Sequence, residues 1–430
     1  MPYTSSEGSP PVTSLPRRAD VAVIGGGVVG LCVAYELAAH GRQVVVIDAG
    51  PIARGSAAGN AGLITPSHLI PMAAPGVLSG VVRGMIRRTG PVTVRPSIDP
   101  SYLRWMVRFA LNCTSRAAHA GAIALSTLGF LSADLAVQWI RREGIECSYQ
   151  KSGLLYAYGD PAAFEAARHE ADTMERYGVT IERYDAAEIR EQEPALDEGV
   201  VGGFRCLDDA GLDPARFMSG IVSVLSERGV VFVPQTRLLD FRTSDGGVDR
   251  LVTARGDLAA DEVVIATGAW TPGVAALLGE SIPIQAGKGY SMTVAAPRQG
   301  PRNNILLGDR WVAVNPIGDR LRMSGWLELG RLDTRPSLRR LAKVEANVRS
   351  RVRLDPELTV LERWAGLRPV TPDGLPITGR SPGWRNVTYA VGHGKLGLSH
   401  GPVTGRLVAQ IVCDRPTDLE LDPFSPRRFR

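Results

Sequence analysis

The sequence predicts an α/β protein that opens with a Rossmann-type nucleotide-binding unit, and three observations support this class. An apolar run, residues 21–24, leads directly into the glycines of Gly25-x-Gly27-x-x-Gly30. A helical segment follows, and a second apolar run ends at Asp48, about twenty residues after the last glycine. A strand, a glycine turn, a helix and an acidic residue in this order are typical of a β-α-β unit that holds the ADP part of a cofactor.

Each residue type in this unit has a physical reason. Gly25 permits the sharp turn after the strand, Gly27 leaves room for a pyrophosphate, and Gly30 lets the helix lie close to the sheet. The first N–H groups of the helix and its dipole favour an anion. A carboxylate at Asp48 suits a ribose hydroxyl and would repel a 2′-phosphate, which disfavours NADP. NAD and FAD both remain open on these residues alone.

The later elements predict that this domain is discontinuous. Residues 56–66 are small and turn-rich, as in a loop over a ligand, and residues 101–113, 122–142 and 161–177 have helical spacing. The apolar run 262–267 predicts a strand buried on both faces, and residues 387–412 return to strand, glycine loop and helix. We predict a tail at 1–18, a cofactor domain from 19–85, 190–275 and 363–430, and a substrate domain from 86–189 and 276–362.

Composition restricts the class further. The 430 residues are 44% hydrophobic and 22% charged, as in ordinary globular proteins. The five cysteines have no paired spacing, so neither a disulfide framework nor a zinc site is indicated, and a reducing compartment is favoured. The tail is rich in Ser, Pro and Gly and is unlike a signal peptide. No apolar run reaches the roughly 18 residues of a membrane span. These observations predict a cytoplasmic protein.

Arginine accounts for most of the net charge of +5. A basic cluster interleaved with Trp105, Met106 and Phe109 comprises Arg83, Arg87, Arg88, Arg95, Arg104 and Arg108. Two interpretations stay open for it: peripheral contact with anionic lipid on the inner face of a membrane, or a solvated helix face. No nucleic-acid-binding motif accompanies the charge.

A set of ordered motifs then suggests a family. After the first glycine turn come Asn60-Ala-Gly62, Ala266-Thr-Gly268, Lys288-Gly-Tyr-Ser291, Trp364-Ala-Gly-Leu-Arg368-Pro and Gly392-His-Gly-Lys-Leu-Gly397. Together they resemble the D-amino-acid oxidase superfamily of FAD-dependent oxidoreductases, most closely the bacterial D-amino-acid dehydrogenases. The resemblance runs from residue 19 to the end of the chain.

The resemblance implies a glutathione-reductase-like FAD-binding domain with an inserted α+β substrate domain on a mixed, mainly antiparallel sheet. It also implies FAD, held non-covalently because the Trp364–Pro369 stretch lacks the cysteine that sarcosine oxidases use. The implied cofactor contacts are Gly25, Gly27, Val28, Val29, Gly30, Asp48, Ala49, Ser56, Asn60, Ala61, Gly62, Leu63, Leu238, Ala266, Thr267, Gly268, Gly392, Gly394, Lys395, Leu396 and Gly397.

Three residues are candidates for the reaction itself. Arg368 offers a planar fork for a substrate carboxylate, and the alternative is an arginine salt-bridged within the domain. Tyr290 is a second candidate contact, or else a core aromatic. His393 titrates near neutrality, yet hydride transfer from a neutral amine needs no dedicated base, so a structural or flavin-contacting role is favoured.

The activity implied is oxidative deamination of a D-amino acid or cyclic imino acid by hydride transfer from Cα to flavin N5, giving an imine and then a 2-oxo acid. The alternatives are a glycine- or sarcosine-type oxidase that produces hydrogen peroxide, and an FAD-binding subunit of a heteromeric amine dehydrogenase. The electron acceptor is a quinone, an electron-transfer protein or oxygen. Two residues bear on this choice. Met323 stands where those oxidases carry a flavin-side lysine, which favours a dehydrogenase, and Trp326 is expected to reshape the substrate pocket.

Overall fold

A computed structural model describes residues 14–78 and 92–430. Most of the predicted tail and Arg83, Arg87 and Arg88 of the basic cluster lie outside the described residues. The remaining chain forms two large sheets and one short two-stranded ribbon. The strands are β1 (Arg18–Ile24), β2 (Val44–Ile47), β3 (Leu63–Ile64), β4 (Val92–Val94), β5 (Leu154–Tyr158), β6 (Ile181–Asp185), β7 (Gly202–Cys206), β8 (Ala210–Gly211), β9 (Val231–Val233), β10 (Leu238–Ser244), β11 (Gly247–Thr253), β12 (Gly256–Ile265), β13 (Gln285–Ala295), β14 (Ile305–Leu307), β15 (Val312–Ile317), β16 (Arg320–Leu329), β17 (Val360–Val370), β18 (Ile377–Arg380) and β19 (Val387–Val391).

The helices cover these sheets. They are α1 (Val28–Ala39), α2 (Pro100–Asn112), α3 (Ser115–Arg142), α4 (Pro161–Arg176), α5 (Ala186–Gln192), α6 (Pro214–Glu227), α7 (Thr271–Ala276), α8 (Leu338–Arg349) and α9 (Gly397–Val412). Helices α2 to α6 each begin at an Asp or Thr whose side chain accepts a backbone N–H of the first turn. Such caps satisfy donors that the helix itself leaves free.

The first sheet, called here the cofactor sheet, has the strand order β10-β11-β12-β1-β2-β9, with β19 beside β12 and β18 beside β19. Strand β1 lies between β2 and β12 in parallel, so that Val23 has Val46 and Val264 as its neighbours. Parallel strands need covering on both faces, which explains the unbroken apolar runs at 21–24, 44–47 and 263–265. Helices α1 and α6 pack on one face together with α9.

The second sheet, called here the substrate sheet, has the order β17-β13-β16-β15-β14-β5-β7-β6, with β4 beside β16. Its long central strands, β17, β13, β16 and β15, pair antiparallel. One face packs on α8 and α5, and the other packs on α4 and the loop after β3. The mixed, mainly antiparallel sheet that the sequence predicts is therefore present.

The chain passes between the sheets as often as the predicted domains imply, but two of the crossings fall at other residues. Strand β7 and all of β17 belong to the substrate sheet. The boundaries placed at 190 and 363 therefore cut into that sheet, which continues to Cys206 and Val370 before the chain returns.

One helix corrects a sequence expectation. Helix α3 is long and apolar enough, by length and composition, to cross a bilayer, with a mean hydropathy of 1.6 over its best window. The sequence alone predicts no apolar run of this length. Its Leu125, Leu128 and Leu135 are buried in the protein core, and a core helix passes the same test.

Candidate active site

The glycine turn after β1 is built as the motif predicts. Gly25 has a positive φ of 111° and lies against the carbonyl of Ala266. A Cβ at Gly30 would overlap the carbonyl oxygen of Gly25, whereas a Cβ at Gly27 would meet nothing within 4 Å. Gly30 is therefore needed for packing of α1 on the turn, and Gly27 keeps open the space in front of the helix.

Asp48 lies at the carboxyl end of β2 and holds the turn in place. Its carboxylate accepts the N–H of Gly26 at 2.7 Å and that of Gly50 at 2.7 Å. Burial raises the pKa of Asp48, and these two hydrogen bonds oppose the shift. The neighbouring Ala49 is exposed, so this end of the strand is open to a ligand.

Two helices begin without a side-chain cap at this end of the cofactor sheet. Helix α1 follows Gly27, and its N–H groups at Val28 and Val29 precede the first intrahelical donor, Leu31. Helix α9 follows Leu396 and begins at Gly397, again with no capping side chain. Free N–H groups at helix starts are suited to anionic or acceptor groups.

The loop of residues 56–62 bridges the two sheets. The Ser56 hydroxyl donates to Leu367 O at 2.7 Å. The Asn60 side chain accepts the N–H of Gly62 at 2.9 Å, and its Nδ2 lies 3.4 Å from Lys395 O. Trp364 occupies the space where Gly59 would carry a side chain. The loop continues through Ala61 into Leu63, which is buried in β3.

Two further predicted segments border the same turn. Ala266 leaves β12 and donates its N–H to Ile24 O at 2.8 Å, which places Thr267 and Gly268 beside Gly25. Leu238 is the first residue of β10. Just before it, Thr236 donates to the carbonyl of Asp48 at 2.7 Å, so this segment crosses the end of β2.

The glycine loop before α9 presents a lysine to the site. Gly392 and Gly394 have positive φ values of 80° and 53°, and the N–H of Gly394 donates to Pro369 O at 2.9 Å. The Lys395 side chain is accessible, yet desolvation and then the charge of Arg368 lower its pKa to about 8. The lowered pKa reflects the protein atoms around the ammonium and the nearby Arg368 guanidinium, although the residue as a whole is exposed.

Arg368 extends from β17 over Gly289 of the neighbouring strand. A Cβ at Gly289 would lie 2.5 Å from the Arg368 Cζ, so this glycine makes room for the guanidinium. Arg368 Nη1 donates to Trp326 O at 2.7 Å, and within residues 14–78 and 92–430 it forms no ion pair. Desolvation lowers its pKa to about 10. A cation without a carboxylate partner in a desolvated cleft is suited to an anionic ligand.

The Trp326 carbonyl reaches Arg368 through a local irregularity. Trp326 has a φ of 67°, and the pairing of β13 with β16 shifts register between Lys288 and Tyr290. A non-glycine residue in this conformation costs about 1–2 kcal/mol. The Trp326 side chain lies under Arg340 at 4.6 Å, in the core against α8. Its backbone therefore takes part in the site, and its ring does not reshape the pocket as the sequence analysis expected.

Tyr290 and Met323 lie on the opposite face of the sheet from Arg368. Alternate residues of a strand point to opposite faces, and Tyr290 is 2% exposed, packed in the α8 core with its hydroxyl 3.2 Å from Glu328. This position does not favour a substrate contact. Met323 is in the same core. The neighbour of Met323 that lies on the Arg368 face is Arg322, so the argument from Met323 toward a dehydrogenase fails.

His393 packs against α9. Its Nε2 is 2.8 Å from the Thr404 hydroxyl, and it is 5% exposed. Burial and His400 lower the pKa of His393 to about 3, so the ring is neutral near pH 7. This environment is consistent with the structural or flavin-contacting role that the sequence favours for His393.

These residues fit a dinucleotide cofactor. Three features call for acceptor and donor groups that the described chain does not supply. They are the open space in front of Gly27, the two uncapped helix starts, and the Ser291 Oγ, which is buried without a hydrogen-bond partner. Fold and site together define a class: proteins that bind an ADP-containing cofactor beside a cleft with two cations.

Comparison with known proteins specifies this class. The model of the FAD dependent oxidoreductase family (DAO) matches residues 20–411, so the chain belongs to this family. It is 31% identical over 95% of its length to all of a D-amino acid dehydrogenase from Rhizorhabdus wittichii, and 32% identical over 95% to nearly all (99%) of one from Granulibacter bethesdensis. The solved glycine oxidase of Geobacillus kaustophilus superposes with a TM-score of 0.76 at 24% identity, over 95% of this chain and 98% of that one. The protein is an FAD-dependent oxidoreductase.

Sequence reasoning missed Arg322 and Asn315, which both contact the 56–62 loop. Asn315 Nδ2 donates to Ala61 O at 3.0 Å, and Arg322 donates to two carbonyls of the loop. One signal was available. A charged residue inside the apolar segment 321–327 of a predicted central strand calls for a buried partner.

Proposed function

We propose that this chain oxidises the Cα–N bond of a D-amino acid or a cyclic imino acid. The observation that carries the proposal is the Arg368 guanidinium, desolvated, free of any carboxylate among the described residues and open toward Lys395. An amino acid presents a carboxylate that suits this pair. The two relatives above, which are named D-amino acid dehydrogenases and align over nearly their whole length, support the substrate class.

The chain's part in the reaction is to bind and orient. Arg368 and Lys395 fix the carboxylate, which leaves the Cα–H and the neutral amine to be aligned by the rest of the cleft. FAD, when bound, supplies the acceptor for the hydride from Cα. The product imine hydrolyses to a 2-oxo acid and ammonia, or remains in the ring of a cyclic substrate. His393, buried and hydrogen-bonded to Thr404, is assigned no proton transfer in this reaction.

Anaerobic mixing tests the substrate class. D-amino acids and proline derivatives should bleach the flavin absorbance of the fully loaded protein. Arg368→Ala should weaken binding of the carboxylate by about 2–5 kcal/mol, seen as a higher KM, while Arg363→Ala, which changes an exposed residue of the same strand, should leave KM unchanged. Absence of bleaching by every member of the class contradicts the proposal, and an unchanged KM removes Arg368 from it.

We infer that the acceptor is not oxygen. Support comes from the names of the relatives alone, since the position of Met323 carries no weight. Turnover with a quinone or a soluble dye that greatly exceeds peroxide formation is the expected result. Peroxide formed at the rate of substrate oxidation would instead identify a glycine- or sarcosine-type oxidase. Activity of the purified single chain would separate both from a subunit that needs a partner.

The proposal includes a cytoplasmic location with peripheral membrane contact through α2. This helix exposes Leu103, Val107 and Leu111 by 50%, 60% and 72%, at four-residue spacing. Arg104 and Arg108 lie beside them, and the helix contains no acidic residue. An exposed apolar stripe flanked by cations is suited to the surface of an anionic bilayer.

The opposite side of α2 connects this stripe to the active site. Trp105 Nε1 donates to Val370 O at 3.1 Å, two residues beyond Arg368. Docking of α2 would therefore bring the cleft close to a bilayer, where a quinone acceptor is found.

Vesicle sedimentation tests this contact. The protein should bind vesicles that contain phosphatidylglycerol at low salt and should be released at high salt, because the attraction is partly electrostatic. Replacement of Leu103, Val107 and Leu111 together by Ser should abolish binding and leave turnover with a soluble dye intact. The control is Leu361→Ser, which changes an exposed leucine elsewhere. Wild-type protein that stays in the supernatant with anionic vesicles contradicts the contact.

A further inference from the structure

Arg322 is a buried arginine on the Arg368 face of the substrate sheet. It is 3% exposed, and its Nε donates to the Thr293 hydroxyl at 3.0 Å. The nearest carboxylate oxygen, on the half-exposed Glu362, is 3.5 Å from Nη2. Burial of a charged group destabilises the protein unless its donors form hydrogen bonds. The remaining contacts of the guanidinium therefore explain why an arginine is buried at this position.

Those contacts go to the 56–62 loop. Arg322 Nη1 donates to Ala58 O at 2.9 Å and to Asn60 O at 2.8 Å. One nitrogen of a planar, rigid group therefore fixes two carbonyls of the same loop, those of residues 58 and 60. Hydrogen bonds from a charged donor are about twice as strong as neutral ones.

Fixing these carbonyls also fixes two N–H groups. In a trans peptide the C=O of one residue and the N–H of the next point in opposite directions. The carbonyls of Ala58 and Asn60 point to Arg322, so the N–H groups of Gly59 and Ala61 point away from it. In the part of the chain that the structure describes, neither N–H has an acceptor, although those of Ala58 and Asn60 close turns within the loop.

The other ties of the loop preserve this orientation. Asn315 Nδ2 holds the Ala61 carbonyl from the same sheet at 3.0 Å. Trp364 fills the space that a side chain at position 59 would occupy. The N–H of Gly59 is therefore not screened by a side chain of its own residue. A buried N–H without an acceptor destabilises the protein, and Gly59 is buried. The pair is therefore prepared for acceptors on a ligand.

We propose that Arg322 is a positioning residue, which orients the N–H groups of Gly59 and Ala61 as a donor pair for the acceptor atoms of the flavin ring. It acts through the loop and contacts no reacting atom. Donors that are held in place favour the electron-rich, reduced state of the ring. Loss of Arg322 should then weaken FAD binding and lower the midpoint potential together.

The test compares Arg322→Met and Arg322→Lys with Arg349→Met in the full-length protein. Arg349 is a matched control because it also donates to two backbone carbonyls, of Asp355 and Pro356, at 3.0 and 3.3 Å. Three quantities are measured: the Tm of the apoprotein, the Kd for FAD from fluorescence titration, and the midpoint potential from dye equilibration.

Arg322→Met should raise the Kd for FAD by roughly tenfold or more, which matches the loss of one or two hydrogen bonds, and should lower the potential. Arg349→Met should lower only the apoprotein Tm. Arg322→Lys, which keeps the charge without the rigid fork, should restore stability more than potential. A wild-type Kd and potential in either Arg322 variant overturn the proposal. If Arg322→Met does not fold, the Kd for FAD and the midpoint potential of Arg322→Lys alone test the proposal.

Discussion

At the scale of single residues, the cleft is defined by two cations, Arg368 and Lys395, which differ in their exposure to solvent. Arg368 remains charged throughout the physiological range even with its pKa lowered to about 10. Lys395, with its pKa lowered to about 8, does not. The shift of Lys395 arises from desolvation first and from repulsion by Arg368 second, so its charge depends on pH within the working range of an enzyme.

This difference predicts the pH dependence of carboxylate binding. The protonated form of Lys395 attracts a carboxylate, and this form is lost as the pH rises through about 8. The inhibition constant of a 2-oxo acid should therefore rise above pH 8. An oxo acid is used because it has no amine that titrates.

The variant Lys395→Met should bind the oxo acid more weakly at pH 7 and show no rise between pH 7 and 9. Lys151→Met, which changes an exposed lysine, should retain the wild-type profile. An identical rise in Lys395→Met would assign the titration to another group.

At the scale of secondary-structure elements, two glycines of the turn between β1 and α1 have different functions. Gly30 is required by the fold, because a Cβ there overlaps the Gly25 carbonyl. Gly27 has a φ of −77°, which any residue adopts, and open space around it. Only a ligand gives it a reason to be glycine.

Alanine at the two positions should therefore separate folding from binding. Gly27→Ala should leave the Tm of the apoprotein unchanged and weaken FAD binding strongly. Gly30→Ala should lower the apoprotein Tm, since backbone must move to relieve the overlap. Calorimetry of the apoproteins and FAD titration measure both. Equal losses of Tm in the two variants would contradict this division.

Element types could be predicted from the sequence because they depend on local patterns. The β1-α1-β2 unit, Asp48 at the end of β2 and the glycines before α9 all follow from spacing. The faces of the substrate sheet could not be predicted in the same way. Alternation puts neighbouring residues of a strand on opposite faces, but it does not tell which face meets the cofactor. On the sequence alone Tyr290 therefore stays open between a substrate contact and a core aromatic, Met323 is expected beside the flavin, and Arg322 has no assigned role.

The molecule as a whole is joined by repeated crossings between its sheets. The chain runs through the cofactor sheet in three separate stretches and through the substrate sheet in two. Neither sheet is complete in any continuous segment. Ties such as Ser56 to Leu367 O and Arg322 to the 56–62 loop also join the sheets through side chains.

Unfolding of the whole molecule should therefore be one cooperative transition. Differential scanning calorimetry should show a single peak in the apoprotein, and saturating FAD should move the entire peak upward, because a ligand of the native state stabilises everything that unfolds with it. Two peaks, of which only one responds to FAD, would contradict this coupling.

The position of β1 in its sheet also affects the order of events during synthesis. Among the strands that the structure describes, β1 is the first to leave the ribosome, but its parallel neighbour β12 is separated from it by more than half of the chain, and β19, beside β12, comes later still. Pairing over such sequence separations is slow. β1 can pair early with β2, but its other edge stays unpaired while most of the protein is made, and a chaperone that covers residues 18–24 would raise the yield of folded protein.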